Sequence, residues 1–202
     1  MKTALEFELE LDMELLTFRK IVTDDDADLL YDDGTTWSRI YEYPLVLKEL
    51  KAHHPHASTV HNSSWGFLDI HALFKNKLDA AYDARHSDLR PSELPHTFVY
   101  DITHPAADEE IGRYDVVINV STMEEVDADH WQCFQNLYAQ VKPGGLFVAT
   151  FDLPGLQLPR FEAEFNQRLA VSGTAVHGNN SLVRNRKYRK LTCGIMTLRK
   201  SQ

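Results

Sequence analysis

The chain has 202 residues, 43% of them hydrophobic and 25% charged, the balance of a globular domain with enough chain for a core. A formal net charge of −9 argues against a nucleic-acid backbone as the main partner, because phosphate binding needs a basic face. Only Cys133 and Cys193 occur, so no disulfide framework is expected; the acidic opening does not suit a signal peptide, no run of about 18 apolar residues would span a membrane, and a cytoplasmic protein is the expectation.

Residues 5–15 alternate apolar and acidic, a period of two that predicts a strand with one buried face. Such an amphipathic edge invites a second copy, so a homodimer through this strand is the expected assembly. Asp24–Asp26 and Asp32-Asp33-Gly34 mark an irregular acidic stretch, and residues 1–36 read as an N-terminal extension to a domain over 37–202. Ile40, Leu47 and Leu50 recur at helical spacing, with Pro44 starting or bending that helix. His53, His54 and His56 surround Pro55 without Cys or carboxylate at ligand spacing, and no metal site is assigned.

A short strand at 58–61 precedes a polar loop, Asn62 to Gly66, and a helix over 69–82. Residues 84–89 and 97–102 read as strands, and Tyr114–Val120 as a strand buried on both faces. A helix over 127–141, capped by Asp127, ends in Lys142-Pro143-Gly144-Gly145 before a strand at 146–151. A helix near 160–170 follows, and residues 173–200 read as two strands around a basic loop containing Arg184, Arg186, Lys187, Arg189 and Lys190, taken as an exposed hairpin rather than an anion site. Alternating strands and helices predict an α/β fold: a Rossmann-like, doubly wound, mostly parallel sheet with a C-terminal antiparallel strand pair. Ligands bind such sheets at the carboxyl ends of the strands.

The segment YDVVINVSTMEEV (114–126), followed by NLYAQVKPGGLFVATF (136–151), resembles the fourth strand, helix and fifth strand of class I S-adenosylmethionine-dependent methyltransferases. The resemblance covers roughly residues 37–200 and implies S-adenosylmethionine as cofactor. The family's first loop carries an acidic residue and Gly-x-Gly-x-Gly; here His61-Asn62-Ser63-Ser64-Trp65-Gly66-Phe67 keeps only Gly66, with Ser63 and Ser64 as the next smallest residues. The resemblance places Asn62, Ser63, Ser64 and Gly66 against the cofactor. It places Asp88 on the ribose, Asp101 and Ile102 by the adenine, and Asn119 and Ser121 by the methionine part. Glu125 and a rim histidine, His61, are the candidate catalytic bases, and Glu124 and Asp152 the candidate acceptor anchors. Structural alternatives stand beside these: a turn role for Asp88 and Asp101, and a capping box from Ser121 to Glu124.

The expected reaction is methyl transfer to a small polar acceptor, a sugar or related metabolite. The alternative, motivated by the divergent loop, is a non-catalytic methyltransferase-like binding or regulatory subunit.

Overall fold

The computed structural model describes residues 13–21, 39–66, 71–166 and 192–202. The expected strand over 5–15 and the basic loop at 184–190 therefore lie mostly or wholly outside the described residues. Among the described residues, seven strands form one sheet: β1 (Met13–Ile21), β2 (Thr59–Ser63), β3 (Asp83–Asp88), β4 (Thr97–Val99), β5 (Tyr114–Val120), β6 (Val141–Leu153) and β7 (Thr192–Lys200). Their spatial order is β1-β7-β6-β5-β2-β3-β4. Strands β6, β5, β2, β3 and β4 are mutually parallel, while β7 runs antiparallel to both β6 and β1. The α/β fold class and the mostly parallel sheet with an antiparallel C-terminal strand are thus as the sequence predicts; that strand, β7, pairs with β6 and β1, and the first of the two strands expected over 173–200 lies outside the described residues. Met13–Ile21, read as part of an extension, is the edge strand of this same sheet.

Among the described residues, four α-helices cover the two faces: α1 (Arg39–His53), α2 (Ala72–Ala81), α3 (His130–Tyr138) and α4 (Leu158–Glu164). Side chains alternate across each strand, so neighbouring residues of β5 feed two separate cores. Val116, Ile118 and Val120 pack with Leu45, Val46 and Leu50 of α1 and Phe74 and Leu78 of α2. Val117 packs with Phe134 and Leu137 of α3 and Phe161 of α4. α1 starts five residues before Pro44, which therefore lies inside the helix, past the first turn, and leaves the Ile40 carbonyl without its i→i−4 donor.

Several boundaries differ from expectation for local reasons. The cap of α3 is Asp129, whose carboxylate accepts from the Trp131 N–H at 2.9 Å, not Asp127. The predicted strand over 97–102 stops at Val99, because Asp101 accepts from both the N–H and the hydroxyl of Thr103 and turns the chain. Lys142–Gly145 interrupts β6 as a bulge. Tyr114 pairs with Val141, but Val116 already pairs with Leu146. Gly144 sits at φ +74, and a Cβ on Gly145 would lie 2.8 Å from the Asp115 carbonyl.

At the opposite end of the strands from the site described below, Asp115 pins three strands together. One carboxylate oxygen accepts from the N–H and hydroxyl of both Ser58 and Thr59, at 2.8–3.0 Å, and the other accepts from Lys142 Nζ at 3.0 Å. Burial alone would push this acid up, but the Thr59 and Ser58 hydrogen bonds and Lys142 outweigh it and hold the carboxyl well below the usual range.

Candidate functional site

The chain winds outward from β2 to β3 and β4, then returns to place β5 on the other side of β2. That reversal opens a crevice at the carboxyl ends of β2 and β5, the place where doubly wound sheets bind ligands. A cavity of about 150 Å³ lies there. Its wall takes Asn62, Ser64, Trp65 and Gly66 from the end of β2, and Asp88 and Leu89 from the end of β3. Val120 ends β5 and Thr122 follows it, Arg39 and Tyr43 come from α1, His71 caps α2 and Phe74 lies in its first turn.

The first loop is a strained turn. Ser64 (φ 56) and Gly66 (φ 88) both take left-handed backbone, and a Cβ on Gly66 would collide with the His71 ring at 2.4 Å. Asp88 holds the turn by accepting from the Gly66 N–H at 3.0 Å. Among the described residues, its other oxygen meets the Arg90 N–H, at a long 3.4 Å. Trp65 is buried, edge-on to His86, and its indole N–H has no partner. The Asn62 amide donates to Nδ1 of His86, whose Nε2–H donates to Asp79 at 2.8 Å, so the wall residue is fixed from behind.

His61 is not on a loop rim. It lies inside β2, fully buried, with Nε2 2.8 Å from the Ser87 hydroxyl, and burial pushes its pKa down to about 3. Neutral and enclosed, it is a core histidine. Asn62 and Ser63 also belong to the strand rather than the loop, and Ser63 is buried. Asp101 does not line the cavity. The Thr103 N–H, the Thr103 hydroxyl and His104 engage its carboxylate and hold its acid low. Ile102 is a core residue whose carbonyl accepts from Asn136 at 2.9 Å. Asn119 is buried at the end of β5; its side-chain oxygen accepts from the Met123 N–H, and its amide nitrogen has no partner.

Beside this cavity stands a second group that local sequence reasoning did not assemble. Glu42 of α1 forms a short ion pair with Arg39 and accepts a short hydrogen bond from the Ser121 hydroxyl. Glu42, Asp152 at the end of β6 and Cys193 at the start of β7 bring one polar atom each within 4.8 Å of one another. The Cys193 thiol donates to Asp152 at 3.0 Å. Glu124, on the 3₁₀ turn Met123–Glu125, accepts from the Asp152 N–H at 2.6 Å, and its other oxygen is buried without a partner. Ser121 and Glu124 therefore do not form a capping box, since each side chain is used across the sheet. Glu125 on the same turn is exposed. Burial, then the charges of Glu42 and Asp152, push Glu124 up to about 8; burial and Glu42 push Asp152 up to about 6. Burial also keeps the Cys193 thiol protonated.

The sequence resemblance thus converges on two adjoining places. Asn62, Ser64, Gly66 and Asp88 line the cavity, while Ser121, Glu124 and Asp152 belong to the acidic group. Arg39 and Thr122 border both. Arg39 and Glu42, three apart on one helix face, were the available signal in α1; nothing local marks Cys193.

No protein-family model and no curated protein matches the sequence. Solved structures match it in shape. The Burkholderia thailandensis 1,6-didemethyltoxoflavin-N1-methyltransferase, crystallised with 1,6-didemethyltoxoflavin and S-adenosylhomocysteine, superposes with a TM-score of 0.54 at 13% identity over 85% of this chain and 84% of that one. The N-methyltransferase NodS of Bradyrhizobium japonicum, in complex with S-adenosylhomocysteine, gives 0.53 at 12% identity over 86% and 97%. The (4+2)-cyclase SpnF gives 0.51 at 11% identity over 84% and 85%. Likeness at such identities is one of fold: the chain has the Rossmann-like fold of class I S-adenosylmethionine-dependent methyltransferases.

Proposed function

We propose, on the premise of that shared fold, that the protein transfers a methyl group from S-adenosylmethionine to a small polar acceptor. The observation that carries this reading is the cavity at the sheet's reversal point, with a tight left-handed turn after β2 and a carboxylate at the end of β3. The residues suit the cofactor in kind. Asp88 keeps an oxygen with little engagement that a ribose hydroxyl would use. The Trp65 indole N–H, in the cavity wall, is a buried donor without a partner, which a polar ligand's acceptor would satisfy. When bound, the cofactor supplies an electrophilic methyl on a sulfonium; the protein has to bind, orient, exclude water and hold a proton. Arg39 and Tyr43 supply a wall over the cavity. Glu124, whose acid titrates near neutrality, is a better base than His61, which burial keeps neutral, or the exposed Glu125.

The fluorescence of Trp65 tests this directly. S-adenosylhomocysteine should change the wild-type emission saturably, and Trp65→Phe should abolish the change. An unchanged emission, with no thermal shift, would count against the reading.

One observation favours the second reading, a non-catalytic binding or regulatory subunit. A volume of about 150 Å³ lies below the roughly 300–1,000 Å³ typical of small-molecule sites, and Trp65 forms part of its wall. A protein that binds neither S-adenosylmethionine nor its product would be of this kind.

A further inference from the structure

Behind the cavity wall, four side chains pass hydrogen bonds from one to the next. Lys75 and Asp79 stand four residues apart on one face of α2, and the Lys75 ammonium donates to Oδ2 of Asp79 at 2.6 Å. Oδ1 of the same carboxylate meets Nε2 of His86, in β3, at 2.8 Å. Nδ1 of His86 meets the side-chain nitrogen of Asn62, in β2, at 3.2 Å. Lys75, His86 and Asn62 are all buried.

The protons of this chain can be arranged in one way. Burial would raise the Asp79 acid, but the Lys75 and His86 hydrogen bonds outweigh it and hold the acid below its ordinary value, so Asp79 is a carboxylate that only accepts. Nε2 of His86 therefore carries a proton. Burial, helped by the charges of Lys75 and His96, outweighs Asp79 and lowers the His86 pKa, so the ring is neutral at pH 7 and Nδ1 is a bare acceptor. Only the amino group of Asn62 can face it. The amide oxygen is left on the other branch. Asn62 is 2% exposed and lines the cavity, and among the described residues nothing donates to that oxygen. An enclosed carbonyl oxygen without a donor is costly, and the ligand is what can supply one.

We propose that His86 is a positioning residue: with Lys75 and Asp79 behind it, it fixes the Asn62 amide so that the oxygen, not the amino group, meets the cavity's ligand, which brings an N–H donor to it. This deepens the methyl-transfer reading and rests on it for the ligand, though not for the orientation of the amide. In that reading the ribose hydroxyls go to Asp88. The N–H donors left on the cofactor are the adenine amino group and the α-ammonium.

Asp79→Asn should invert the chain. Lys75 only donates, so the new amide turns its oxygen to Lys75 and its amino group to His86. Nε2 then accepts, the ring proton sits on Nδ1, and Asn62 turns its amino group to the cavity.

Two measurements on the full chain test this. Long-range proton–nitrogen NMR of 15N-labelled protein at pH 7, with His86 assigned through His86→Phe, should show the Nε2–H tautomer in wild type and the Nδ1–H tautomer in Asp79→Asn. A wild-type ring that is Nδ1–H or doubly protonated would overturn the proposal, as would an unchanged tautomer in the variant. The second measurement is calorimetric titration with S-adenosylhomocysteine, an analogue with unsubstituted purine in place of adenine, and an analogue without the α-amino group. One of the two analogues should bind wild type at least tenfold more weakly than the parent. Asn62→Leu, near in shape but without an acceptor, should weaken the parent at least tenfold and erase that difference. Asp79→Asn, outside the cavity wall, should do the same, and it carries the test if Asn62→Leu fails to fold. Equal binding of all three ligands by wild type, or a difference that survives in both variants, would overturn the proposal. Wild type that binds none of the three would overturn the cofactor reading instead, and the ring spectrum alone would then decide the role of His86.

Discussion

Glu124 and His61 are both titratable groups shut inside the protein, and they bend stability in opposite directions with pH. His61 falls from 6.5 to about 3 on burial, so the unfolded chain binds the extra proton between those values, and its contribution is lost as pH falls through that window. Glu124 rises from 4.5 to about 8, so the folded chain holds the extra proton, and stability declines as pH rises through that window. Glu124→Gln removes the second effect alone. We expect urea titrations from pH 5 to 9 to show an alkaline decline in wild type that the variant lacks, a difference on the order of 3 kcal/mol at pH 9. Parallel curves for the two proteins would mean that Glu124 is not buried as described.

At the scale of elements, Asp115 and the bulge at Lys142–Gly145 hold β2, β5 and β6 in register away from the site. Asp115→Ala would remove the acceptor shared by Ser58, Thr59 and Lys142, at about 1–2 kcal/mol, since water reaches the exposed Ser58 N–H and Lys142 keeps the Thr59 hydroxyl. The urea midpoint should fall accordingly while ligand binding by the folded fraction is unchanged; altered affinity would show that the two ends of the sheet are coupled. Gly145→Ala would force a Cβ to 2.8 Å from the Asp115 carbonyl and should destabilise comparably. Gly112→Ala is the comparison: its φ of +61 adds strain of about 1 kcal/mol, but no atom lies within 4 Å. These elements were legible in the sequence where hydrophobic period and turn chemistry agreed, as in β5 and the Lys142–Gly145 break. They were misread where polar residues sit inside a central strand. Asn62, read as loop, and His61, read as its rim, lie inside β2, because their partners on β3, His86 and Ser87, make them tolerable in a core.

At the scale of the molecule, the contacts that matter most join distant residues. β1 closes the sheet against β7, pairing Met13 with Lys200 and Ile21 with Cys193, a long-range register no local pattern announces. Removing residues 1–21 would bare the outer edge of β7 and should abolish cooperative unfolding; an unchanged, cooperative transition would show β1 to be dispensable. The acidic group likewise draws Glu42, Glu124, Asp152 and Cys193 from four separate elements, which is why the sequence suggested Glu124 and Asp152 singly but not the assembly. The cavity was more legible, because the ends of β2 and β3 lie near each other in any doubly wound sheet. Calorimetric titration of wild type, Asp88→Asn and Asp101→Ala with S-adenosylmethionine reads cofactor binding at this cavity without assuming any methyl acceptor. Saturable binding is expected in wild type, at least tenfold weaker binding in Asp88→Asn, and near wild-type binding in Asp101→Ala; absence of binding in wild type, or loss in Asp101→Ala alone, would mean that this cavity is not the cofactor site.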